Sequence, residues 1–343
     1  MLLGVAVLVF AELFARLVPP PDPRTPTAGD ARGVLLHGSP WLLWELHVGD
    51  FLERGIPVHV NAAGFRDATR GPKTRARVLS VGDSTIYGYG VRDGEVFTSL
   101  LEKRFDADFI NGGVPGYSTF QSLNFLDMRG LALDPDVLLV GSLWSDNNFD
   151  TFQDADLLAA YADFQQSNTR RFRRVLSHSV LFQWADWTLR VAPRGDEARK
   201  VGWMINKQGD IEGARRVDIN DYAANLEAFA DRMQAHGGGV VYLLPPNRED
   251  LLPPGEAPRW AIYRQVMRDV AARHHAPIVD GPAAFGAAGL GVDDLFQDQM
   301  HPTAIGHAVL AEAVAKVLDA SGWPAVPLRI QAADSALQTY EDR

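Results

Sequence analysis

The chain has 343 residues, 46% of them hydrophobic, enough to bury a substantial core in one large or two small domains, so disorder is excluded as the default. Its net charge of −10 comes from acids spread along the chain, which argues against nucleic acid as a partner, because neutralising phosphates needs a cationic surface. The absence of cysteine excludes disulfides, thiolate metal sites and a Cys nucleophile, and leaves the redox compartment open.

Residues 1–18 are apolar except for Glu12 and Arg16 and run into a proline-rich linker, residues 19–33. The unbroken run Leu2 to Ala11 falls short of the roughly 20 residues that cross a hydrocarbon core, and Leu13 to Val18 nearly complete that length. No Lys or Arg precedes the run and no small-x-small cleavage site follows it. The reading is therefore an uncleaved N-terminal membrane anchor with the rest of the chain in the cell envelope, on the periplasmic side; the alternative is an amphipathic first helix on a cytoplasmic protein.

Residues 34 to 70 are rich in Trp, Gly and His, lack periodicity and read as an extended lead-in. From Arg75 strand-like and helix-like text alternates. Val78 to Val81, Phe109 to Ile110, Asp136 to Gly141, Val240 to Leu244 and Pro277 to Asp280 are apolar on both faces. Gly94 to Arg104, Gln121 to Leu131, Asn220 to His236, Trp260 to His275 and Pro302 to Leu318 carry helical spacing. The pattern predicts an α/β fold: a three-layer α/β/α sandwich on a mostly parallel five-stranded sheet, whose ligand site lies beyond the carboxyl ends of the strands. Residues 151 to 215 interrupt it with aromatic and basic text and read as a helical insertion. It is either a cap packed on the sheet domain or a lid or membrane-facing surface using Arg170, Arg171, Arg173 and Arg174. The main domain is taken as 34–330 and the tail as 331–343.

Four polar clusters each follow a strand. Gly82-Asp83-Ser84-Thr85 puts a serine hydroxyl at the sheet edge, and such a serine needs a base to accept its proton. Asp298-Gln299-Met300-His301-Pro302 supplies one: an Asp three residues before a His can fold back and hold one ring nitrogen, leaving the other to face the serine, with Pro302 expected to open the last helix. Asn111-Gly112-Gly113-Val114-Pro115-Gly116 offers backbone N–H groups unobstructed by side chains, and Trp144-Ser145-Asp146-Asn147-Asn148 offers a carboxamide donor. Taken singly, the last two read as ordinary turn and loop residues. His274 and His275 have no metal-like partners at ligand spacing, and no metal or cofactor is implied.

Taken together in chain order, the clusters resemble the SGNH (GDSL-like) hydrolases, whose four blocks carry Ser, Gly, Asn and His, over about Val78 to Leu318. The resemblance implies a flavodoxin-like sandwich and a serine esterase working through an acyl-enzyme. It makes Ser84 the nucleophile, His301 the general base and then acid, and Asp298 the residue orienting it. The Gly116 and Ser84 N–H groups become oxyanion donors. The third block departs from Gly-x-Asn-Asp: Asp146 stands where the Asn is expected, and an ionised carboxylate cannot donate. Asn147, one residue on, is therefore taken as the third donor. Asn61 to Arg66 and Gly88 to Val91 are similar to the envelope-associated bacterial branch of the family. The substrate would be a small-molecule, lipid or glycan ester. The rival readings are an O-acyltransferase acting on an envelope polysaccharide and a non-catalytic glycan-binding protein on the same scaffold.

Overall fold

The computed structural model describes residues 2–18, 35–150, 152–166, 214–253 and 258–341, with shorter stretches at 176, 179–186, 188–189 and 255. Ahead of the alternating part, two antiparallel hairpins pair β1 (Leu36–Ser39) with β2 (Leu43–Leu46) and β3 (Gly49–Glu53) with β4 (Ile56–Val60). The extended lead-in is thus paired into two hairpins. Runs of four or five residues hold too few apolar positions for a period of two to show in sequence.

Each of the five apolar runs is a strand of one parallel sheet: β5 (Ala76–Gly82), β6 (Ala107–Gly113), β7 (Val137–Gly141), then, after the short pair β8 (Phe149–Asp150) and β9 (Ala214–Arg215), β10 (Gly239–Leu244) and β11 (Ile278–Asp280). All residues of β6, β7 and β10 are buried, as a sheet covered on both faces requires. The order is β11-β10-β7-β5-β6. The chain leaves β5 toward β6 and leaves β7 in the opposite direction, toward β10. The carboxyl ends of β5 and β7 are therefore the switch point beyond which ligands bind in sheets of this order. On one face Phe97–Arg104 packs against Ala304–Ala320; on the other Ile219–His236 packs against Thr119–Phe125 and Ala261–Arg273.

The last helix starts at Ala304 rather than Pro302. Thr303 caps it, its hydroxyl accepting from the Gly306 amide at 3.1 Å, and Pro302 instead forms a single bridge with Phe296. Capping by a hydroxyl satisfies a free helix N–H, which the proline ring cannot do. The second helix is also shorter than its apolar spacing suggested: it ends at Phe125 and continues as a π turn and a 3₁₀ turn to Leu133.

Within 151 to 215, Asp154–Gln166 and Val180–Asp186 are helical, and β8 pairs with β9 across the segment's two roots. Arg170, Arg171, Arg173 and Arg174 lie outside the described residues, as does the linker at 19–33. Leu2–Ala15 is a helix of 14 residues, and among the described residues no helix is long and apolar enough to cross a membrane.

Candidate active site

The turn after β5 is set by Asp83 and two glycines. The buried Asp83 carboxylate accepts from the Thr85 amide at 2.9 Å and caps the short helix Ser84–Tyr87, which Gly88 closes in the left-handed conformation. A Cβ on Gly113 would stand 2.3 Å from the Tyr87 nitrogen, so only glycine at the end of β6 lets this helix rest there. Asn111 adds a tie, donating to the Tyr87 carbonyl at 3.2 Å while accepting from the Gly113 amide at 3.0 Å. Ser84 is left at the carboxyl edge of the sheet, partly buried, with its side chain turned to the last loop.

That loop folds back as the Asp298-to-His301 spacing requires. Asp298 Oδ1 accepts from the Met300 amide at 3.0 Å and the His301 amide at 2.9 Å, and the carboxylate meets His301 Nδ1 at 2.7 and 2.9 Å. His301 Nε2 lies 2.7 Å from Ser84 Oγ. An ionised carboxylate only accepts, so Nδ1 carries the proton and Nε2 is the acceptor facing the hydroxyl. Partial burial works to raise the Asp298 carboxyl, but the His301 hydrogen bond and charge, with the two amides, outweigh it and hold the group at about 2. Asp298 is therefore anionic at any working pH. A hydroxyl so placed can pass its proton to the imidazole as it attacks, with the carboxylate stabilising the imidazolium.

Sequence reasoning missed the residues that hold this loop against the Ser84 turn. Gln297 donates through Nε2 to the Tyr89 carbonyl at 2.9 Å and the Pro302 carbonyl at 2.8 Å. The Tyr89 ring packs on the His301 ring at 4.7 Å, and buried Glu53, from the β3–β4 hairpin, accepts from the Gly90 amide at 3.2 Å. A Gln before the Asp-x-x-His run was the one visible signal, and no spacing rule ties it to a turn 208 residues away.

Gly116 adopts φ +81°, and its amide and that of Ser84 have no hydrogen-bond partner among the described residues. The third block is arranged differently from its expectation. Asp146 is wholly buried and turned to Thr119, accepting from its amide at 2.8 Å and its hydroxyl at 2.5 Å, with Oδ2 unpaired. Burial, against those hydrogen bonds, raises the Asp146 carboxyl to about 7. Asn147 Oδ1 accepts from Arg215 at 2.5 Å, so its NH₂ is the end left to donate.

Among the described residues no three His, Asp or Glu side chains cluster as metal ligands. His274 is buried, with Nδ1 on the Gln331 carbonyl at 3.0 Å and Nε2 on the Glu227 carboxylate.

Residues 80–309 match the family model of the GDSL-like lipase/acylhydrolases, a span that includes Ser84, Gly116, Asn147, Asp298 and His301. The chain belongs to that family. Similar solved structures include LAE5, described as an α/β hydrolase enzyme from the metagenome of Lake Arreo, Spain, at 19% identity over 74% of this chain and 98% of that one, TM-score 0.46. Others are Axe2, an acetylxylan esterase from Geobacillus stearothermophilus (16%, 71% and 94%, TM-score 0.46), and a lipase/acylhydrolase from Enterococcus faecalis (15%, 76% and 100%, TM-score 0.46). No curated protein sequence matches the chain. As a GDSL-like protein it has its serine and histidine blocks at the two ends of the matched span.

Proposed function

We propose that this GDSL-like protein is a serine esterase that cleaves carboxylic esters through an acyl-enzyme, on the strength of one observation: the continuous hydrogen-bonded line from Ser84 Oγ through His301 to Asp298 at the edge of the sheet. His301 takes the Ser84 proton as Oγ attacks the ester carbonyl. The Ser84 and Gly116 N–H groups and the Asn147 amide stabilise the oxyanion, and His301 returns the proton to the departing alcohol. Water, activated by the same imidazole, then releases the acid. A sugar hydroxyl in place of that water would make the protein an O-acyltransferase, so the acceptor is settled by product analysis.

The test is turnover of p-nitrophenyl esters by the full chain with a fluorophosphonate probe read by intact mass. Ser84→Ala is expected to lose labelling and at least about 10⁴-fold in kcat. A folded wild-type protein with neither turnover nor labelling would instead leave the glycan-binding reading.

The membrane reading of residues 1–18 is part of the same proposal. Phe10, Leu13, Phe14, Leu17 and Val18 are all exposed, and the one acid among them is satisfied within the chain. Glu12 accepts from Ser179 Oγ at 2.7 Å and from the Val180 and Leu181 amides at 2.9 and 3.1 Å. Such a helix favours an apolar interface and would hold the hydrolase domain, residues 34–330, at the envelope, as expected for the envelope-associated branch. The full chain is expected to sediment with membranes and a chain lacking residues 1–18 to stay in the supernatant.

A further inference from the structure

The peptide unit that carries the Gly116 N–H is gripped from behind by a residue outside the family-matched span. Trp44, on β2, donates its indole Nε1–H to the Pro115 carbonyl at 3.0 Å. Pro115 C=O and Gly116 N–H belong to one trans peptide, so they point in opposite directions; with the carbonyl drawn toward the buried indole, the N–H is turned away from it. The next carbonyl along, that of Gly116, accepts from Arg216 Nη1 at 2.8 Å. Both peptide planes flanking Gly116 are thereby fixed, at a φ of +81° that glycine adopts without strain.

The grip is itself braced. Tyr117 Oη donates to the Trp44 carbonyl at 2.7 Å, and the Arg216 guanidinium stacks over the indole at 5.3 Å. Arg216 makes a two-point ion pair with Asp154, at 2.9 and 2.7 Å, and both side chains are enclosed. Asp154 and Arg216 stand at the two roots of the insertion, and the Asp154 amide donates to the Arg216 carbonyl at 2.9 Å.

We propose that Trp44 is a positioning residue for the oxyanion site, its indole N–H orienting and polarising the Pro115–Gly116 peptide so that the Gly116 N–H is a fixed, strengthened donor to the developing charge. This rests on the reading of Gly116 as an oxyanion donor. Two effects act together. A hydrogen bond to an amide carbonyl makes the N–H of the same peptide a better donor, and a donor held in place needs no reorganisation when the charge appears. Because the full negative charge exists only in the transition state, the contribution belongs in kcat and not in KM.

The decisive variant is Trp44→Phe, which keeps a ring beside Arg216 and Tyr117 and deletes the N–H. With p-nitrophenyl acetate, kcat is expected to fall roughly tenfold, the size of one neutral hydrogen bond, with KM unchanged. Inhibition by a trifluoromethyl ketone, which forms a tetrahedral adduct, should weaken by the same factor. If Trp44→Phe does not fold, replacing Trp44 by 3-benzothienylalanine, which has the shape of Trp without the donor, carries the same expectation. Unchanged kcat and inhibition, or a loss that appears in KM or tracks the unfolded fraction, would overturn the role of Trp44 while leaving the esterase intact. A wild-type protein with no Ser84-dependent turnover would overturn both.

Discussion

Ser84, His301 and Asp298 stand at the solvent edge of the sheet, where the Asp298 side chain is 42% exposed, whereas Asp146, Asp154 and Arg216 are enclosed behind the Gly116 loop. In the first group water reaches the Asp298 carboxylate, and the cluster is held by a three-residue turn, the Ser84–His301 hydrogen bond and the contacts of Gln297 and His301 with Tyr89. In the second Asp154 and Arg216 offset each other out of water, while burial beside the neutral Thr119 pushes Asp146 toward its uncharged form. A charge at the edge can be removed mainly at the cost of chemistry; the buried Asp154 or Arg216 charge cannot be removed without stranding its partner.

The largest effect should therefore come at the edge and be mainly chemical. Asp298→Asn keeps the shape of the turn but disturbs the ring tautomer that Asp298 imposes, and kcat is expected to fall about 10⁴-fold; because the fold holds this carboxyl below its ordinary value, the lost charge should also lower the unfolding free energy by on the order of 1–2 kcal/mol, reduced by solvent screening at this exposed edge. A loss above about 3 kcal/mol would mean that the charge holds more of the loop than its own turn. Because Asp298 is held at about 2, the acid limb of the wild-type kcat/KM profile above pH 4 is not set by this group.

Asp154→Asn makes the opposite expectation. It leaves Arg216 buried with half its ion pair and should lower stability by about 3–5 kcal/mol in urea unfolding, with any activity loss following the Gly116 loop. A loss below about 1 kcal/mol would show that water reaches Arg216 after all.

Asn147→Asp separates the two functions of one side chain. An Asp at 147 retains the acceptor for Arg215 and removes the NH₂, and kcat should drop by about 10² to 10³ if that NH₂ meets the oxyanion. Unchanged kcat would assign the Asn147 side chain to Arg215 alone.

The last effect is a slope in pH. Asp146 has a folded value of about 7 against 3.8 when unfolded, so between those values the folded state binds the extra proton, and stability declines as pH rises from about 4 to about 7. Asp146→Asn removes that decline, so the difference in Tm between variant and wild type should be more favourable at pH 8 than at pH 5. A pH-independent difference would mean that Asp146 does not titrate in this range.

What was legible from the sequence is what local spacing encodes. Five strands buried on both faces read as apolar runs, and the Asp298-to-His301 interval reads as a turn because three residues suffice to bring a carboxylate to the ring beside it. Residue types alone also put serine, glycine and carboxamide after successive strands, and the sheet order then gathered them at one edge.

Everything that depends on chain crossing was decided by tertiary structure. Nothing in Trp44, Gln297 or Arg216 announces a partner 71, 208 or 100 residues away, and each acts through a backbone carbonyl, which every residue type provides and no sequence distinguishes. The roles of Asp146 and Asn147 were hidden for the same reason: the neighbours that bury one carboxyl and hold one amide, Thr119 and Arg215, lie in other segments. Sequence fixes which groups are available and how short stretches fold; burial, which sets both the strength of a hydrogen bond and the cost of a charge, exists only once those stretches pack.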